Sequence, residues 1–458
     1  MAVTDLELAY RALSEKAPIY DRLWHYYDGN QPLRYSTDRL KEVFRTINAR
    51  FTQNWCEVVV ETVLERLNLT QFVVHNNATA SKQLTDWFEE SEMHLDADDV
   101  ELCAMVTGES FVIIWPTEQG DELEAFYNDS RLCHVIYQAE SPRQMRMAAK
   151  WWIEDAETAD GRGKIRLTLY YPDRLEYYIS NKLAKDVREA KQFEPFPVEG
   201  GLGEYGNHAP NPFGTIPVFH FRRERRAIKS ELAPSVLDVQ DAINKLFSDM
   251  MVSAEFGAFK QRYVISQADV GVLKNAPGEI WDIPAGDGMG QDTQVGEFSE
   301  TSLNNFMQSM EQLSVSIAKM TRTPQSYFFL GARSDPSGEA LIAMESPLNK
   351  KCSKYIRRFG VEWQRLAAFV AQYEGIDLAG GKIRAVYEDP RTVQPFTQAQ
   401  TRQTNVNAGI PLTTQLRNEG WTDAEIEQMA TDRQAEAAQQ ESTMATALLN
   451  AQRRLNQQ

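Results

Sequence analysis

Two amphipathic stretches on either side of a Gly- and Pro-rich segment constrain this chain more than any other feature. From Val236, apolar residues recur at Val239, Ile243, Leu246, Met250 and Ala254, close to the spacing that keeps one helix face apolar. Ser235 is placed to cap this helix, with Asp238 three residues on as its reciprocal partner. A second stripe, Leu303, Phe306, Met310, Leu313, Ile317 and Met320, predicts a helix from about Thr301 to Arg322, stopped by Pro324. Such a helix is roughly 33 Å long at about 1.5 Å per residue. Between the two, Pro277-Gly278, Pro284 and glycines at 286, 288, 290 and 296 mark residues 260–299 as irregular or β-like. The pattern is a stalk with a tip. The second helix is poor in charge and rich in Ser, Asn, Gln and Met around its stripe, which suits packing against copies of itself.

The rest of the 458 residues leaves room for roughly two to four domains in all. Leu6–Leu13 has helical spacing, and Leu40, Val43, Phe44, Ile47, Phe51, Trp55, Val59, Val63 and Leu67 predict a helix over Asp38–Arg66. A third helix near Ser81–Ser91 carries Leu84, Trp87 and Phe88. Aromatics at that spacing suit a core better than a stack of bases. From Glu109 the period shortens. Ser110–Trp115, Met145–Ile153, Lys164–Tyr171 and Arg174–Ile179 read as strands of an antiparallel meander, and 195–217 as loop. Beyond Pro324 come a loop, a long helix from Ser337 to about Glu374 with a kink expected at Pro347, and a strand at Lys382–Tyr387. The Gln- and Ala-rich C-terminus reads as helical, with a capping box at Thr422 and Glu425. The class is α+β.

The chain holds 48 basic and 65 acidic residues, a net charge of −17. Tight, general DNA binding draws most of its affinity from phosphate neutralisation and calls for the opposite balance. The densest basic run, Arg222-Arg223-Glu224-Arg225-Arg226, reads either as a phosphate contact or as a solvated loop or ion-paired subunit contact. The longest apolar runs, such as Phe111–Trp115 and Ala367–Ala371, are too short to cross a bilayer, and the acidic start Met1–Asp5 is unlike a signal peptide. Four separated cysteines, Cys56, Cys103, Cys133 and Cys352, read as reduced thiols.

Enzyme templates fail on residue type. Gly161-Arg162-Gly163-Lys164 and Gly380-Gly381-Lys382 lack the Gly-x4-Gly-Lys-Ser/Thr pattern, since Ile follows each lysine where a hydroxyl must reach Mg²⁺. His25, His75, His94, His134, His208 and His220 form no HExxH pair. Asp96-Ala97-Asp98-Asp99 lacks the Gly and distal Glu of a calcium loop, and Asp98-Asp99 suit the start of a helix. No catalytic, cofactor or metal site is expected.

Several segments, in order, resemble the portal proteins of tailed bacteriophages, specifically a short, siphophage-like portal family. They are Asn54–Val60, Leu169–Arg174, Asn211–Val218, Gln240–Lys245, Thr323-Pro324, Ser337–Leu341 and Gly409–Leu412. Each is weak alone; their order and spacing over about residues 5 to 430 carry the likeness.

The resemblance implies a portal fold and a ring of about twelve subunits at one capsid vertex, the conduit for DNA packaging and ejection. It maps 1–233 to the wing, 234–259 and 301–323 to the stem helices, and 260–300 to the clip. It maps 324–336 to the tunnel loop, 337–392 to the kinked channel helix and its return to the wing, and 393–458 to a small helical crown. It implies no enzymatic activity and no cofactor. The implied partners are double-stranded DNA, the terminase large subunit, a head-completion adaptor, and the major capsid and scaffolding proteins, with no membrane. The implied location is the virion, after assembly in the host cytoplasm.

Lys319, Arg322, Arg333, Lys350 and Lys351 are the candidates to face DNA, or else to pair with acidic residues of a neighbouring subunit. Tyr327, Phe328 and Phe329 sit in the tunnel loop, touching DNA or packing loop to loop. Arg262, Tyr263, Lys274, Trp281 and Asp282 are the clip candidates for docking terminase or adaptor. An acidic chain repeated around a ring makes a repelling wall with few sticking points, as a sliding duplex requires. The competing readings are another oligomeric virion protein, an adaptor or baseplate component, and a metal-dependent nucleic-acid enzyme using Asp98, Asp99 and Glu101.

Overall fold

A computed structural model describes residues 4–32, 52–117, 122–154, 163–258, 262–265, 294–297, 302–328, 338–391, 395–418, 421 and 426–434. The chain divides into two compact units. One comprises Met1–Asp21, Glu61–Ser230 and Ser334–Gln458, the other Arg22–Val60 and Glu231–Arg333. The capping box expected at Thr422 and Glu425 lies outside the described residues.

The larger unit is built on an antiparallel meander, as the alternating strand segments predict. Strands β4 (Cys133–Tyr137), β5 (Met145–Ile153), β6 (Lys164–Tyr170), β7 (Arg174–Leu183) and β8 (Phe193–Pro195) lie side by side in chain order, and β9 (His208–Pro210) also pairs with β7. Both faces are buried. Met147, Ala149, Leu167, Leu169 and Phe193 meet Ala9, Tyr10 and Leu13 of helix α1 (Asp5–Tyr27), with the Tyr10 ring 5.6 Å from that of Phe193. Ala148, Tyr170 and Leu175 on the other face meet Phe111, Ile113 and Val218.

Those last residues belong to a second sheet, which corrects the placing of Ser110–Trp115 in the meander. That segment is the middle strand β2 (Glu109–Pro116), antiparallel to β3 (Leu123–Asn128) on one side and β10 (Val218–Arg222) on the other. A strand pairs with whatever chain offers a matching hydrophobic register, and local spacing does not reveal a partner a hundred residues away.

Two elements carry little periodic signal. Strand β1 (Leu69–Val74) pairs antiparallel with β13 (Ile383–Tyr387), Val74 opposite Ile383. Helix α4 (Met93–Thr107) is buried almost all round in its second half, from Cys103 to Thr107, so no polar face marks it. Asp98 and Asp99 therefore stand one turn inside α4, not at its start. The preceding helix α3 (Ala78–Glu90) is capped by Asn77, whose Oδ1 accepts from Ala80 N (3.0 Å). Helix α4 ends on Gly108 at φ +102, where a Cβ would lie 2.7 Å from the Lys229 backbone. Helix α7 (Gly338–Tyr373) runs through Pro347 and buries Phe359, Trp363, Leu366 and Val370.

A buried charge cluster ties α1 to these sheets. Glu109 accepts from Lys16 Nζ (2.7 Å) and Tyr20 OH (2.5 Å) on one oxygen and pairs with His220 Nε2 (2.8 Å) on the other. Burial alone would raise the Glu109 pKa, but the His220 hydrogen bond and the charges of His220 and Lys16 hold it far below the carboxylate range. Burial, and then Lys16, push His134 down to about 4.

Candidate nucleic-acid interface and docking surface

The smaller unit contains the predicted stalk. Helices α5 (Pro234–Ala258) and α6 (Leu303–Thr321) pack against each other, and the chain between them forms an antiparallel ribbon of β11 (Arg262–Ile265) and β12 (Gln294–Glu297). Pro234 occupies the first helical position of α5, where its missing N–H costs nothing, and Ala233 O accepts from Val236 N and Leu237 N. Ser235 thus lies inside the first turn and does not cap it.

The apolar stripe of α5 is only part of its buried face. Gln240, Asp241, Asn244 and Ser248 are buried with it. Gln240 Oε1 accepts from Trp55 N (3.0 Å), Asn244 Oδ1 from Gln53 N (3.0 Å), and Asp241 from Tyr26 OH (2.8 Å). The first two bonds satisfy the backbone of the segment entering helix α2 (Trp55–Leu64) and fix it on α5, and the third holds the Tyr26 hydroxyl at the end of α1. Hydrophobic spacing could not find this contact. The Gln240…Asn244…Ser248 repeat at four residues is its sequence signal.

On α6 the buried residues are Met310, Ser314, Ile317, Ala318 and Thr321. Leu303, Met307 and Met320 stay exposed. Two of the six predicted stripe residues, Leu303 and Met320, are therefore uncovered in the single chain. Arg322 ends α6 in the left-handed region at φ 59, with its N–H donating to Ala318 O. Lys319 and Arg322 are both exposed, one turn apart at this end of the helix. A short turn, Gln325–Tyr327, follows.

Of the tunnel-loop aromatics, Tyr327 is exposed. Phe328 is buried against the Trp55 ring of its own chain, centroids 5.1 Å apart. Phe329 and Arg333 lie outside the described residues, as do Lys274, Trp281 and Asp282. Arg262 and Tyr263 begin β11, opposite Glu297 and Gly296. In the larger unit, Lys350 is exposed on α7 and Lys351 is buried.

The carboxylates of the enzyme reading do not converge. Asp98 and Asp99 are exposed, while Glu101 is buried and accepts from Tyr387 OH (2.6 Å) and Trp363 Nε1 (3.2 Å). Burial pushes Glu101 up to about 8, against the opposing pull of those two hydrogen bonds. Among the described residues, no three His, Cys, Asp or Glu side chains are grouped to hold a metal ion, and no helix is long and apolar enough to cross a membrane.

The model of the family described as phage portal protein, SPP1 Gp6-like, matches residues 10–439. The chain belongs to this portal family. Two curated portal proteins are similar to it along most of their length. That of Mycobacterium phage L5 is 23% identical over 354 residues, covering 73% of this chain and 68% of the relative. That of Mycobacterium phage D29 is 24% identical over 402 residues, covering 83% and 78%. Among solved structures, a chain of the virion of a native gene transfer agent particle aligns at a TM-score of 0.40 and 12% identity, over 82% of this chain and 90% of that one. The portal family is a structural one, and the chain is a phage virion protein of mixed helix and sheet.

Proposed function

We propose that this portal protein forms a ring of about twelve copies at one capsid vertex, through which double-stranded DNA enters and leaves. The observation that carries the reading is the packed pair α5 and α6 with the β11–β12 ribbon between them. In this reading the pair is the stem and residues 260–300 the clip. Residues 1–233 form the wing, 324–336 the tunnel loop, 337–392 the channel helix and its return, and 393–458 the crown. Exposed Leu303, Met307 and Met320 on α6 are then covered by neighbouring stems, because an apolar helix face is stable when a partner removes it from water.

The clip, with Arg262, Tyr263, Lys274, Trp281 and Asp282, receives the terminase large subunit and later a head-completion adaptor. Capsid and scaffolding proteins meet the ring during assembly. Lys319, Arg322 and Arg333 line the DNA path as a few cations on an acidic wall, so the duplex is guided without being held, while Lys350 takes the other role open to it, facing a neighbouring subunit. Lys351, buried in the single chain, has a structural role instead. The test is complementation of a portal-deficient phage with Lys319→Glu/Arg322→Glu. Normal particle yield with less nuclease-protected DNA per particle is the expected result; full DNA content would remove these residues from the path.

A further inference from the structure

The run Arg222–Arg226 has no part in the function above, yet its surroundings are specific. After β10 the chain turns across the middle of α7. Arg223 Nη1 donates to Tyr355 OH (2.7 Å) and its Nε to Lys229 O (2.5 Å). The Arg358 guanidinium donates to the Arg223 carbonyl, and Arg223 N donates to Gly108 O (3.2 Å). Loop 223–229 is thereby held beside residues 355–358 of α7.

Together the two segments concentrate positive charge. Residues 222–230 and 346–361 contain ten Lys and Arg and one carboxylate, Glu224, in a chain whose net charge is −17. Arg225, Arg226, Lys229, Lys350, Lys354 and Arg357 are exposed. Among the described residues none of these six forms an ion pair within the chain, whereas Arg131, Arg174, Arg365 and Arg391 each find a carboxylate. Lys350, Lys354 and Arg357 follow at four and three residues and so share one helix face. Burial holds the Arg358 guanidinium below its ordinary value, and Arg223 and Arg357 add to this against the pull of Glu224 and Tyr355. Like charges are crowded here, and the six exposed ones find no carboxylate among the described residues.

We infer that this basic face, formed by loop 225–229 and the Lys350–Arg357 face of α7, docks against the acidic surface of a second copy of this chain. This rests on the ring reading and assigns one side of its subunit contact. Charge complementarity selects the partner. Outside the patch the chain is more acidic still than its net charge, so a neighbouring copy offers the carboxylates that the patch lacks. A ring needs such a head-to-tail contact, in which two different surfaces of each copy meet. DNA is the poorer partner, because so many fixed cations repeated in every copy would hold a duplex that has to slide.

The test is the fraction of rings, counted by mass photometry, across about 0.05 to 1 M NaCl. The full-length wild type is compared with Arg225→Glu/Arg226→Glu/Lys354→Glu/Arg357→Glu. A helix-only variant, Lys350→Gln/Lys354→Gln/Arg357→Gln, guards against misfolding, and circular dichroism checks both. Rings of the reversal variant should fall apart at a salt concentration at least roughly three-fold lower, with the glutamine variant between the two. Identical salt profiles overturn the inference. So do unchanged rings whose affinity for a short DNA duplex drops, a result that assigns the patch to nucleic acid. A wild type that stays monomeric at every salt concentration overturns the ring reading and this inference with it.

Discussion

Glu101→Gln should stabilise the chain at neutral pH and destabilise it in mild acid. The carboxyl is buried with Oε1 accepting from Tyr387 and Trp363, while Oε2 has no partner among the described residues. Burial pushes it up to about 8 in the folded chain, whereas an unfolded glutamate ionises near its ordinary value of about 4.5. A raised folded value means that the native state is favoured in acid, below the unfolded value, and loses that advantage as pH rises towards 8. The loss is about 1.4 kcal/mol per pH unit, hence roughly 3 kcal/mol by pH 7. Glutamine keeps the accepting oxygen and removes the ionisation. Its amide N–H groups replace the unpartnered oxygen at a pH-independent cost of about 1–3 kcal/mol. Urea unfolding of both proteins at pH 5, 6, 7 and 8 should give difference curves that cross, the variant gaining steadily with pH. Parallel curves would refute the argument, because they would mean that Glu101 ionises alike in both states.

Glu109→Ala leaves Lys16 and His220 without their shared carboxylate and should cost about 3–5 kcal/mol in the same unfolding assay. His134 stands at about 4 folded against an ordinary value near 6.5, so its contribution is intact above pH 6.5 and is lost as pH falls towards 4. His134→Gln should flatten the acid limb of the stability profile over that window. Gly108→Ala should destabilise by more than about 1 kcal/mol, since its Cβ would strike the Lys229 backbone, while Arg322→Gly should gain up to about 1 kcal/mol by relieving a left-handed cap. Thermal midpoints of the two variants should move in opposite directions.

Much of the fold was legible because it is written in periods. The stripes at Val236–Ala254 and Leu303–Met320 locate both stalk helices, and the alternation from Met145 to Ile179 locates the meander. Long-range pairing was not legible: β1 with β13, and β2 with β10, join segments whose separation local patterns do not register. Helix α4 was legible only as a helix start at Asp98-Asp99, because burial on nearly all sides of its second half erases amphipathicity there. Among the candidate residues, Lys319, Arg322 and Lys350 are exposed, but residue type could not separate exposed Lys350 from buried Lys351, or exposed Tyr327 from buried Phe328, since neighbours in the chain are pointed in different directions by the backbone. The polar lock of Gln240, Asp241 and Asn244 escaped a search for apolar faces.

The assembly state of the purified full-length chain tests the central claim most directly, by mass photometry together with class averages of negatively stained particles. Twelve copies of 52.2 kDa predict a species of about 630 kDa, a closed ring with a central opening wide enough for a DNA duplex. A small closed oligomer with no open channel would contradict the conduit.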